Sequence, residues 1–96
     1  MPPITQQQQM QIKADDKTLQ GLYSNAMQVT HTKEEFALDF MSMIPPQGLL
    51  NARIIVSPAH MKRIIAALAE NLRGYEASFG EVVAAQEPGE IGFQAK

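Results

Sequence analysis

Cysteine is absent from this chain of 96 residues, and so is tryptophan. Without cysteine there is no disulfide framework, no thiolate nucleophile, no Cys-ligated zinc and no iron–sulfur cluster. Histidine is scarce, with only His31 and His60, so a histidine-based metal centre would need carboxylate help. The six glycines are scattered and form no phosphate-cradling loop. No apolar run approaches the ~20 residues of a membrane-spanning helix, and the N-terminus lacks the basic and apolar regions of a secretory signal. A soluble protein of a reducing, cytoplasmic compartment, with no membrane association and no cofactor, is the expectation. Charge of one sign is lacking too. Eight basic and ten acidic residues leave a net charge of −2, which argues against a strongly basic nucleic-acid binder and an acidic disordered tail alike.

What remains is a chain with 45% apolar residues, enough for one small domain. Its ends read as flexible. Residues 1–9 hold two prolines and four consecutive glutamines, and residues 86–96 are broken by Pro88, Gly89 and Gly92. The domain is therefore expected over residues 10–85.

Within it, periodicity of two comes first. Met10, Ile12 and Ala14 alternate weakly with polar neighbours. Residues 22–31 alternate again, with Tyr23, Asn25, Met27, Val29 and His31 on one face. Thr32, Lys33 and Glu34 make a polar connector of hairpin length. In residues 35–44, Phe36, Leu38 and Phe40 oppose Ala37, Asp39, Met41 and Met43. Pro45-Pro46-Gln47-Gly48 breaks the chain, and residues 50–57 are β-branched and apolar.

The period then changes. Ser57 caps and Pro58 opens a helix, and Gly80 ends it. Met61, Ile65, Leu68, Leu72, Tyr75 and Phe79 recur at intervals of 4, 3, 4, 3 and 4, a heptad-like seam. These elements predict an α+β fold: three or four antiparallel strands in a meander, then one long C-terminal helix packed across the sheet. In that arrangement Met27, Val29, Phe36, Leu38, Phe40, Ile54 and Val56 meet Ile64, Ile65, Leu68, Leu72 and Tyr75.

Residues 21–82 also carry a family likeness, in Tyr23-Ser24-Asn25, Glu35-Phe36, Asp39-Phe40, Arg53-Ile54-Ile55, Ser57-Pro58, His60 and Lys62-Arg63. It continues through Leu68, Asn71, Tyr75-Glu76 and Phe79-Gly80-Glu81. The chain resembles the prokaryotic family named domain of unknown function 3467, about two-thirds of its length taking part, with the glutamine run and the Pro/Gly tail outside the pattern. The resemblance implies a small cytoplasmic protein of strands followed by a helix, and implies no activity. In architecture alone, a sheet followed by a helix is similar to SecB-type export chaperones.

Candidate chemistry is thin. Ser57 lies three residues before His60, but a serine before proline at a helix start serves as a cap. His31, His60, Glu35 and Asp39 show no metal-ligand spacing. Glu35 and Asp39 could work as an acid–base pair, yet an ion pair from Asp39 to Arg53 on the neighbouring strand is the simpler use. No metal site and no catalytic residue is expected, so the chain reads as a non-enzyme.

Two groups stand out as partner-binding candidates. Tyr23, Ser24 and Asn25 are polar where a strand should be plain, and with Asp39 they serve structure or a partner. Arg53, His60, Lys62 and Arg63 are basic, and the last three sit in the first turns of the helix, where cations oppose the helix dipole. An anionic partner would explain them. The sequence thus points to a homodimeric protein-interaction module, with nucleic-acid association as the alternative. The dimer follows from a second sheet face that is itself apolar and from the heptad-like seam.

Overall fold

The computed structural model describes residues 9–86. The flexible ends expected at 1–9 and 86–96 therefore lie outside the described residues, Gln9 and Gln86 excepted.

Three strands form one antiparallel meander: β1 (Ala26–His31), β2 (Phe36–Ile44) and β3 (Gln47–Val56), with β2 in the centre. A long helix follows the sheet. Before the sheet lies a five-residue helix, α1 (Asp16–Gln20), which the alternation of Met10, Ile12 and Ala14 conceals. Asp15 caps α1 by accepting from the Thr18 N–H at 2.8 Å, and Gly21 ends it at φ 81°. Residues 10–14 join no strand, so the count is three rather than four.

Each connection has a local cause. Between β1 and β2, Thr32 N–H donates to the Glu35 carbonyl, and the Thr32 hydroxyl accepts from the N–H groups of Glu34 and Glu35. Between β2 and β3, Pro45 and Pro46 form the whole loop, through a cis peptide bond, and Ile44 pairs with Gln47 directly beyond it. The prolines occupy the two positions that donate nothing to the ladder. Hence β3 begins three residues earlier than its β-branched stretch suggests.

The register pairs Leu38 with Val29 and Ile54, and Asp39 with Gln28 and Arg53. It then shifts at Phe40/Met41, where Phe40 faces Ala52 but Met41 faces Leu50. Asn51 is the extra residue of this bulge.

The second long element, α2 (Pro58–Phe79), runs for 22 residues. The Ser57 hydroxyl accepts from the His60 N–H at 3.1 Å, Pro58 opens the first turn, and Gly80 ends the helix at φ 100°. This is the capping role expected of Ser57. The expected packing across the sheet is not found. Met61 is buried and Ile64 half-buried, but Ile65, Leu68, Leu72, Tyr75 and Phe79 are all half exposed or more. The cause is the junction. Only Ser57, itself extended at φ −74° and ψ 157°, separates β3 from α2, so no loop turns the helix back over the sheet.

Among the described residues, the buried apolar side chains are Leu38, Met41 and Met61, and the one buried polar side chain is Asp39. Leu38 and Met41 belong to opposite faces of β2. Three side chains are far fewer than a domain of this length needs to offset its chain entropy.

Candidate interaction surface

Three features hold the residues that the sequence singles out. The first is the ion pair at the centre of the sheet. Asp39 lies on the middle strand, 1% exposed, and Arg53 approaches from β3 with its side chain half in solvent. Arg53 Nε donates to Asp39 Oδ1 at 2.6 Å and Nη2 to Oδ2 at 2.9 Å, a two-pronged pairing. Hydrogen bonding to Arg53 holds the Asp39 carboxyl below the ordinary carboxylate range, against the pull of desolvation, and the carboxylate raises Arg53 in return. Gln28 completes the row across the three strands, and its Oε1 is shielded from solvent without a hydrogen-bond partner. The sequence indicated the pair but not Gln28, because that residue's place depends on the strand register.

The second feature is the Tyr23-Ser24-Asn25 segment, which ties the chain to the sheet. Asn25 Nδ2 donates to the Met43 carbonyl at 3.1 Å, and Asn25 Oδ1 accepts from the Met43 N–H at 2.7 Å. The carboxamide thus imitates a backbone amide and adds a rung to the β1–β2 ladder. The Ser24 hydroxyl lies within hydrogen-bond distance of the carbonyls of Met41 and Ala26, and the Tyr23 carbonyl accepts from Asn51 Nδ2 in the bulge. Asn51 escaped sequence reading, since only the register shift brings it opposite Tyr23. The Tyr23 ring itself is largely exposed.

The third feature is the helix. His60, Lys62 and Arg63 are exposed on its first turns, and their side chains form no hydrogen bond or ion pair among the described residues. Arg53 is not drawn into this group, being bound to Asp39. The basic cluster therefore reduces to the three helix residues. Beside it runs the exposed seam from Ile65 to Phe79, with the rings of Tyr75 and Phe79 tilted against each other at 4.9 Å between centres. No cluster of three or more potential metal ligands occurs among the described residues, and no helix there is long and apolar enough to cross a membrane.

These features define a small α+β protein with an exposed apolar stripe along its long helix. The chain belongs to the family described as "Protein of unknown function (DUF3467)", which matches residues 2–84. The match starts well before Gly21, so the glutamine run belongs to the family region rather than outside it. No curated protein and no solved structure matches the chain.

Proposed function

We propose that this protein is a self-associating interaction module without catalytic function, which pairs with a second copy through α2 and leaves its sheet edges for another protein. The observation that carries the reading is the exposed seam. Leu68 is 64% exposed, Leu72 50%, Tyr75 52% and Phe79 75%, all on one stripe of a helix that touches little else. A helix of this length is marginal in water unless its apolar face is covered, and contiguous apolar patches of this kind mark association surfaces. The sheet supports the second half of the reading. β3 is an edge strand ten residues long, with Leu49 and Leu50 exposed, and an open edge accepts another strand.

Light scattering during gel filtration tests the association. A mass near twice 10.6 kDa is expected at ~100 µM, retained at high salt because the contact is apolar. Leu72→Asp should give a folded monomer, since Leu72 contributes nothing to the buried core. A monomeric parent protein would refute the proposal. Association that appears only with added nucleic acid and fades steeply with salt would favour the alternative reading.

A further inference from the structure

We infer that the two copies pair their α2 helices antiparallel, with Lys62 of each set against Glu76 of the other; this rests on the self-association proposed above. The argument comes from the order of residues along the helix. Along the seam, Met61, Ile65, Leu68, Leu72, Tyr75 and Phe79 are symmetric about a point midway between Leu68 and Leu72. Turning a second copy about that point stacks Leu68 on Leu72 and Ile65 on Tyr75, each twice, and brings Phe79 to the Met61 end, where Met61 itself is already buried within its own protomer. The small end of one seam then meets the aromatic end of the other.

Charge fixes the direction. His60, Lys62 and Arg63 occupy the first two turns, while Glu76 stands near the other end. Lys62 and Glu76 are two heptads apart on the same flank of the seam, each directly after a seam residue. In an antiparallel pair such equivalent flanks face each other, so Lys62 and Glu76 form two symmetric ion pairs around a central Ala69. A parallel pair does the opposite: it sets His60, Lys62 and Arg63 beside their own copies and aligns the two helix dipoles. Antiparallel pairing also explains why cations stand at a helix start that should repel them, because the partner helix brings its negative end alongside. Five exposed seam side chains from each copy would bury on the order of 1,000 Å² in total, within reach of a specific interface.

The test is a charge swap read by sedimentation or light scattering at low ionic strength. Lys62 and Glu76 are about 21 Å apart along one helix, too far to interact within a copy. Lys62→Glu and Glu76→Lys should each weaken self-association about tenfold, by turning two attractions into repulsions. Mixing the two variants should restore wild-type affinity as a heterodimer, and the double variant should restore it alone. The double variant also controls for the bond that Glu76 Oε2 accepts from the Val82 N–H, which either Glu76 change removes. A dimer that ignores the single swaps, or whose loss is recovered neither by mixing nor by the double change, would overturn the antiparallel arrangement while leaving the dimer intact. A parent protein that is monomeric at ~100 µM would remove the underlying reading as well.

Discussion

Asp39 is the residue on which the sheet's chemistry turns. A carboxylate on a central strand, nearly out of contact with water, survives only because Arg53 grips both of its oxygens. That pairing was legible from the sequence because cross-strand partners on one face of an antiparallel pair follow from alternation and turn position. The unpartnered Gln28 Oε1 was not, since it takes the full three-strand register to place it. The pair makes a definite statement about pH. The folded carboxyl is depressed below its unfolded value, so its contribution is complete above the ordinary aspartate range near pH ~3.9 and is lost as the pH falls through the folded value. Urea midpoints measured from pH 7 to pH 2 should therefore decline at the acid end, and Asp39→Asn should flatten that part of the decline while lowering the midpoint at neutral pH. An unchanged acid slope in the variant would assign the decline to other carboxylates.

Among the elements, those with strong punctuation were readable. Ser57-Pro58 and Gly80 bracket α2 to the residue, and Pro45-Pro46 locates the β2–β3 turn. Two elements were hidden for physical reasons. In α1 the apolar alternation leading into Asp15 imitates a strand, and five residues are too few to show helical periodicity. The bulge at Asn51 depends on pairing between strands, which alternation within one strand does not record. The start of β1 was hidden in another way: the alternating stretch begins at Leu22, yet strand geometry begins at Ala26, because the Ser24 and Asn25 side chains bond to Met41 and Met43 beside a single backbone bond from the Asn25 N–H to the Met41 carbonyl. Asn25→Ala removes both bonds to Met43 and should cost about 1–2 kcal/mol, seen as a lower urea midpoint with an unchanged slope. Asn25→Asp should also destabilise, since it keeps the acceptor for the Met43 N–H but sets a negative charge against the Met43 carbonyl.

For the molecule as a whole, what the sequence could not convey was which surface the helix seam covers. Apolar spacing says that a stripe must be buried, but the same stripe serves the chain's own sheet or another helix equally well. In this structure α2 follows β3 after the single residue Ser57, and its seam beyond Ile64 stays exposed. The consequence is an uneven distribution of stability. β2 is paired on both sides and contributes Leu38 and Met41 to the core, whereas among the described residues the seam of α2 from Ile65 to Phe79 stays half exposed or more. Amide exchange reports such differences directly, because a segment without tertiary support opens locally. If α2 pairs with a second copy as proposed, then at concentrations low enough to separate the copies residues 65–79 should exchange close to the rate of an isolated helix while the β2 amides stay protected. Raising the concentration to ~100 µM should slow exchange along that helix segment and leave β2 nearly unaffected, because only the helix gains a partner. Leu72→Asp should abolish the concentration dependence. Protection of residues 65–79 that is high and independent of concentration would mean that the seam is already covered within one chain, and the helix would then have to fold back on the sheet in solution.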